Sequence, residues 1–339
     1  MHRGKILVLG WLALPWLVAG GAVAAETLIA PKAGENGGPD GGVVRYIPDD
    51  QFGVDFVDQQ RGWVSGYYGS MLHTADSGRS WEVSSVGRPD LIRRVDFIDA
   101  TTGWAVGHRG SIFITRDGGA SWAVQHSEPG TYMRDVTFVD AQNGWAVGHN
   151  QTILHTTDAG VTWTRQEFLW DGMDPPRING VAAYSPNEAI VVGEFGLIIS
   201  TSDGGASWAK VARPTAGTYT AVAVADGYAI AVGIDGLAVS VPRGGLEAVA
   251  IATNTKLHLL DVALDANGNG FAVGLGSAYQ ITAGVIAPVK LDVAIGAELT
   301  WLGGVGLLPD GGAVAVGSNG LIATWDQDKA AFVQSVRWR

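Results

Sequence analysis

The 339-residue sequence contains no cysteine. That excludes disulfides, thiolate nucleophiles, Cys-ligated metals and a lipid-modified cysteine anchor. Basic residues are scarce, with 22 Lys plus Arg against 33 Asp plus Glu and a formal net charge of −11. So acidic a chain is poorly suited to nucleic acid or an anionic membrane surface as its main partner, although a local basic patch is still allowed. Beyond the N-terminal stretch, no apolar run is long enough to span a bilayer. There is no His-x-x-x-His and no acidic calcium loop, so neither a metal nor a cofactor is expected.

The N-terminus reads as a secretion signal. His2, Arg3 and Lys5 precede an apolar run over 6–18, and small residues follow, with Val23-Ala24-Ala25 or Ala22-Val23-Ala24 as the cleavage site. The expected organisation is a signal peptide over 1–25, an N-terminal extension over 26–48, and a folded body over 49–339. The mature protein is then a soluble monomer without a lipid anchor, in the periplasm or an equivalent lumen. Abundant glycine, 49 residues in all, gives a turn-rich composition suited to an all-β fold.

What is present is a repeat. Thr-x-Asp-x-Gly-x-(Ser/Thr)-Trp occurs four times, with Asp76, Gly78 and Trp81, then Asp117, Gly119 and Trp122, then Asp158, Gly160 and Trp163, then Asp203, Gly205 and Trp208. The aspartates are 41, 41 and 45 residues apart. A second marker is a glycine ending an apolar run, as in Gly103-Trp-Ala-Val-Gly107. It recurs at Gly66, Gly107, Gly148, Gly193, Gly233, Gly274 and Gly317. This period in strand-like sequence predicts a seven-bladed β-propeller of four-stranded antiparallel blades. Blades 1–4 carry the Asp motif and blades 5–7 have lost it.

Within a repeat, Val95–Ile98 suits the innermost strand, Trp104–Val106 the second and Ser111–Thr115 the third, while the Trp122 segment opens the fourth. The Asp motif falls on the turn between strands three and four. There Asp accepts turn amides and Gly supplies positive φ. Aspartates recurring at equivalent places around a ring cannot converge on one substrate, so they are structural. His73 and His155, ahead of the motif threonines, are read the same way.

These residues resemble the Asp-box, or BNR, repeat. The fuller pattern, from Phe-Val/Ile-Asp through Gly-Trp-Ala-Val-Gly to the Asp motif, resembles the photosystem II stability/assembly factor-like family of propellers. The resemblance is close over Val54–Trp208 and weak afterwards. It implies a non-enzymatic luminal or periplasmic factor that binds a membrane or envelope client through an arginine-bearing face. Cyanobacterial members typically carry a lipid-anchored cysteine, which this chain lacks.

In an up-and-down blade the two-to-three turns and the four-to-one connections share one face. That face collects Arg93, Arg94, Arg134 and Arg177, expected just ahead of inner strands, and His108, Arg109 and His149 after slot glycines. It also collects the longer connection between blades three and four, with Phe168 and Trp170. These nine are the expected partner-binding residues, suited to a carboxylate-bearing client segment because guanidinium pairs bidentately with carboxylate. For Trp170 the alternative is that it caps its own blade. Two other functions compete. An accessory subunit of an envelope export system shares every feature above. An Asp-box glycoside hydrolase needs paired carboxylates, for which Glu194, Asp235 and Glu128 are available. Arg45-Tyr-Ile-Pro48 only faintly resembles the sialidase signature, its Arg and aromatic being reversed.

Overall fold

A computed structural model describes residues 49–293, 296 and 299–335. The signal and extension expected over 1–48 and the Arg45–Pro48 segment lie outside the described residues. The rest is an all-β ring whose 28 strands follow one another in seven groups of four, from Gln51–Phe56 to Ala331–Gln334. In each group consecutive strands pair antiparallel, the first lying innermost. Blade 2 is representative, with strands Ile92–Phe97, Gly103–Gly107, Ile112–Thr115 and Ala123–His126. Among the described residues, no helix is long and apolar enough to cross a membrane.

The blades are joined by aromatic stacking that the repeat spacing sets up. Trp63 of blade 1 lies flat on Phe97 of blade 2 at 3.6 Å, and Trp104 of blade 2 on Phe138 of blade 3 at 3.4 Å. All of these rings are buried. The motif tryptophans Trp122 and Trp163 meet the same two phenylalanines edge-on. His73 and His155 stack on Trp63 and Trp145 from the third strand. Stacked aromatics of this kind add to plain area burial.

The Asp motif closes its turn identically in all four blades. In blade 2, Asp117 accepts the Ser121 amide at 2.8 Å, the Ser121 hydroxyl at 2.6 Å and the Thr115 hydroxyl at 2.8 Å. The Thr115 hydroxyl accepts the Gly119 amide in turn. These bonds hold Asp117 below the usual carboxylate range, with the Ser121 contacts as the main cause, and bring Asp203 down to about 2. In blade 6 a two-residue hairpin, Ala283-Gly284, does the same job, both residues having positive φ.

The slot glycine has a different reason to be glycine. Gly107 is fully extended at φ −170°, which any residue adopts. A Cβ there would meet the Leu91 carbonyl at 1.9 Å, and the same holds for Gly148 against Tyr132 at 2.3 Å. The closeness lets the next residue bond to that same carbonyl. His108 N–H donates to Leu91 and His149 N–H to Tyr132, each at 3.0 Å. The residue after each of these two glycines is thereby fixed against the connection that leads into its own inner strand.

Ring closure uses packing. Phe52 stacks on Trp301 at 5.6 Å, Gln59 donates to Asp310 at 2.8 Å, and the Asn319 amide donates to Asp50 at 2.9 Å. Ala331–Gln334 completes blade 7. It also runs parallel to Lys290–Asp292 of blade 6, fusing blades 6 and 7 into one eight-stranded sheet.

Candidate functional site

Every inner strand carries a one-residue bulge near its start, where its register against the second strand slips. In blade 2 the bulged residue is Arg93, between paired Ile92 and Arg94; in blade 3 it is Arg134, between Met133 and Asp135. A bulge re-aims its side chain relative to the strand. The arginines expected ahead of the inner strands are therefore inside them, and adjacent residues go to different places.

Arg94 turns into the channel. Its Nη atoms donate to both carboxylate oxygens of Asp261 at 2.7 and 2.8 Å, spanning from blade 2 to blade 6, and Nε donates to Asp135 of blade 3 at 3.0 Å. Burial works against its charge, but Asp261 and Asp135 outweigh that and raise its pKa further. Burial still raises Asp135 despite Arg94. The two directions conflict, and three well-made hydrogen bonds decide for a charged cluster. Arg94, expected to bind a partner, is committed to the interior.

Arg93 and Arg134 instead share a cavity of about 170 Å³ with Leu91, Met133, His108, Tyr132 and His149. Among the described residues neither guanidinium has an ion-pair partner within 4 Å. Arg93 reaches only the Phe52 carbonyl, at 3.4 Å, and lies 5.7 Å over the Phe52 ring. Arg134 has a buried Nε–H with no acceptor. Burial lowers both, aided for Arg93 by the charge of Arg134 and for Arg134 by that of Arg177. Arg93 comes down to about 9, and both stay charged at neutral pH. Two cations crowded together with an orphaned donor form a site built for an anion.

The imidazoles complete the lining. Tyr132 stands between them, edge-on to His108 at 4.6 Å and to His149 at 5.1 Å. Burial, then Arg134 and Arg177, lowers His149 to about 4 against the opposing pull of Glu194. Burial likewise lowers His108, with Asp90 opposing and Arg134 and Arg109 assisting. Both are neutral at pH 7.

The remaining expected residues lie around this cavity. Arg109 pairs with buried Asp90 at 3.4 Å, and Arg177 pairs with Glu194 at 3.4 Å, so neither charge is free. The connection over 166–177 folds back on its blade. Phe168 and Trp170 pack against the cluster containing Trp145 and Val181, Trp170 donates to the Asp174 carbonyl at 2.8 Å, and Lys210 sits 5.9 Å over its ring. What projects is Leu169 at 89 % and Met173 at 100 % exposure, with half-exposed Phe195 next to Trp170. Sequence reasoning missed Tyr132 and Phe195, and within the 166–177 connection it favoured the aromatics over Leu169 and Met173. Tyr132 was findable, because it holds in blade 3 the place of Leu91 in blade 2, sixteen residues before the slot glycine. Of the acids considered for a hydrolase, Glu194 and Glu128 are paired with arginines and Asp235 faces His258, and no carboxylate lines the cavity.

Residues 88–232 match the family model of the photosynthesis system II assembly factor YCF48. Among curated proteins no sequence matches the chain. In structure the chain is similar to YCF48 from Cyanidioschyzon merolae, with a TM-score of 0.65 at 18 % identity over 82 % of this chain and 96 % of that one. It is similar as well to YCF48 bound to a D1 peptide, with 0.63 at 16 % identity over 82 % and 92 %. A GH74 xyloglucanase from Xanthomonas campestris gives 0.66 at 13 % identity over 85 % of this chain and 55 % of that one.

Proposed function

This chain is a photosystem II assembly factor-like β-propeller, matched over residues 88–232, and we propose that it is a non-enzymatic, secreted factor that holds an acidic segment of a membrane or envelope client. The observation that carries this reading is the shared cavity, where Arg93 and Arg134 present two guanidiniums with no carboxylate of the described residues within ion-pair distance of either. A client carboxylate supplies what the site lacks. Beside it, Leu169, Met173 and Phe195 offer exposed apolar surface on the same face, which suits a client segment carrying apolar residues near its acid. A YCF48 structure holding a D1 peptide supports peptide capture by this kind of propeller.

The GH74 likeness is one of fold. Hydrolysis of a glycosidic bond needs two suitably placed carboxyl groups, and the lining of the cavity supplies none. The test is in-cell crosslinking with affinity capture, comparing the wild type with Arg93→Glu/Arg134→Glu. Recovery of a membrane protein by the wild type alone is the expected result. Equal recovery by both proteins places the working surface elsewhere and sinks the reading. Co-purification with a complete transporter, in place of an assembly intermediate, moves the assignment to an export accessory.

A further inference from the structure

The cavity holds more titratable chemistry than carboxylate capture requires. Two histidines from equivalent turns of adjacent blades flank one tyrosine, and both line the cavity with the two guanidiniums. We propose that His108 and His149 are specificity-determining residues of this pocket, which take up protons when an anionic ligand binds, so that the site captures acidic segments more tightly as pH falls. This rests on the carboxylate reading above and assigns its regulation.

The geometry carries the argument. The slot-glycine arrangement fixes both turns, because each histidine amide is bonded to the carbonyl just before the inner strand at 3.0 Å. The backbone bond places each Cα, and the edge-on contacts with Tyr132 place the rings beside the arginines. Around His149 stand Arg134 of the inner strand, Arg177 of the next connection, Glu194 of the next turn and His108. Around His108 stand Asp90 of its own blade's incoming connection, Arg134 and Arg109. Of these, Arg177 and Glu194 offset one another, as do Arg109 and Asp90. What remains is the pair Arg93 and Arg134, on which Asp135 and, for Arg93, Asp261 act only beyond ion-pair distance, both carboxylates being bonded to Arg94.

Without an anion beside them, burial disfavours an imidazolium at either position and the charge of Arg134 adds to that, so both rings stay neutral. A bound carboxylate reverses the sign of that interaction, because an anion favours the charged form of a nearby base. The proton comes from solvent and goes to whichever ring nitrogen is free, and it leaves again on release. By linkage, a ligand that raises a group's pKa binds more tightly below that pKa. If binding restores His149 from about 4 to near the unperturbed value for histidine, affinity rises by about tenfold from pH 7 to pH 5. The ligand's carboxylate stays mostly ionised over that range and so does not cancel the effect.

The experiment is titration calorimetry of the full-length protein with a short peptide of glutamate and leucine, blocked at both ends. It is run at pH 5, 6 and 7, each in two buffers of different ionisation enthalpy. Tightening by about tenfold toward pH 5, with net proton uptake that disappears in His108→Asn/His149→Asn, is the expected result. Binding by the wild type that is equal at all three pH values, with no proton uptake, overturns the inference and leaves carboxylate capture standing. No binding at any pH overturns both. The histidine ring signals of the wild type, followed by NMR with and without peptide, decide the matter even if the double variant does not fold: unmoved titration midpoints refute the proposal.

Discussion

At the scale of single residues, the Asp motif turns chemistry into turn geometry. Its aspartate, threonine and second hydroxyl satisfy one another and two turn amides, and the arrangement repeats from Asp76 to Asp203 with hardly a change in distance. The threonine is the less visible half of the device. Thr115 is buried, and among the described residues its hydroxyl alone accepts the Gly119 amide. Thr115→Val keeps the shape and removes that acceptor, so denaturant unfolding should show a loss of about 1–3 kcal/mol. A variant as stable as the wild type would mean that water replaces the hydroxyl. The motif was fully legible in the sequence because its partners lie within four residues of one another. The reason for the slot glycine was not legible, since a carbonyl sixteen residues earlier excludes the Cβ.

At the scale of elements, two local devices decide what the connection face presents. The inner-strand bulge sends Arg93 and Arg134 to the cavity and Arg94 to the channel. Sequence spacing put Arg93 and Arg134 side by side, as equivalent residues of adjacent repeats. It could not divide Arg93 from Arg94, because a bulge shifts the alternation that a strand pattern relies on. The connection over 166–177 is the second device. It buries the aromatics that stood out in the sequence and leaves Leu169 and Met173 exposed. Leu169→Ser/Met173→Ser should leave the thermal midpoint unchanged, as exposed positions do, while crosslinked client falls several-fold. Undiminished capture would show that the loop serves only its own blade.

At the scale of the whole ring, the inner strands are stapled across the seams by half-buried aspartates. Asp55 accepts the Phe97 amide of the next blade at 2.7 Å, and Asp96 accepts that of Phe138 at 2.7 Å. Burial raises Asp55 to about 6 against the pull of that amide, and burial together with the charge of Asp55 raises Asp96 well above the usual range. A carboxyl whose folded pKa is raised contributes stability that is fully present below its unfolded value near 3.8 and is lost as pH rises through about 6. The lowered Asp-motif carboxylates act oppositely, their contribution being lost only as pH falls below 3.8. Asp55→Asn should therefore raise the thermal midpoint at pH 7.5 and leave it unchanged near pH 4. A midpoint lowered at both pH values would mean that the charged staple is worth more than its burial costs.

The period, the motif and the slot glycine determined the architecture by themselves, because a propeller repeats a local unit and local units leave periodic marks. The same periodicity makes Arg93 and Arg134 neighbours, as equivalent residues of adjacent repeats. Which arginine is free was settled only by the tertiary structure. Asp261, which neutralises Arg94, lies 167 residues away in sequence, on the far side of the ring. No spacing rule connects two blades across a channel. Charge compensation at that distance exists only once the ring has closed.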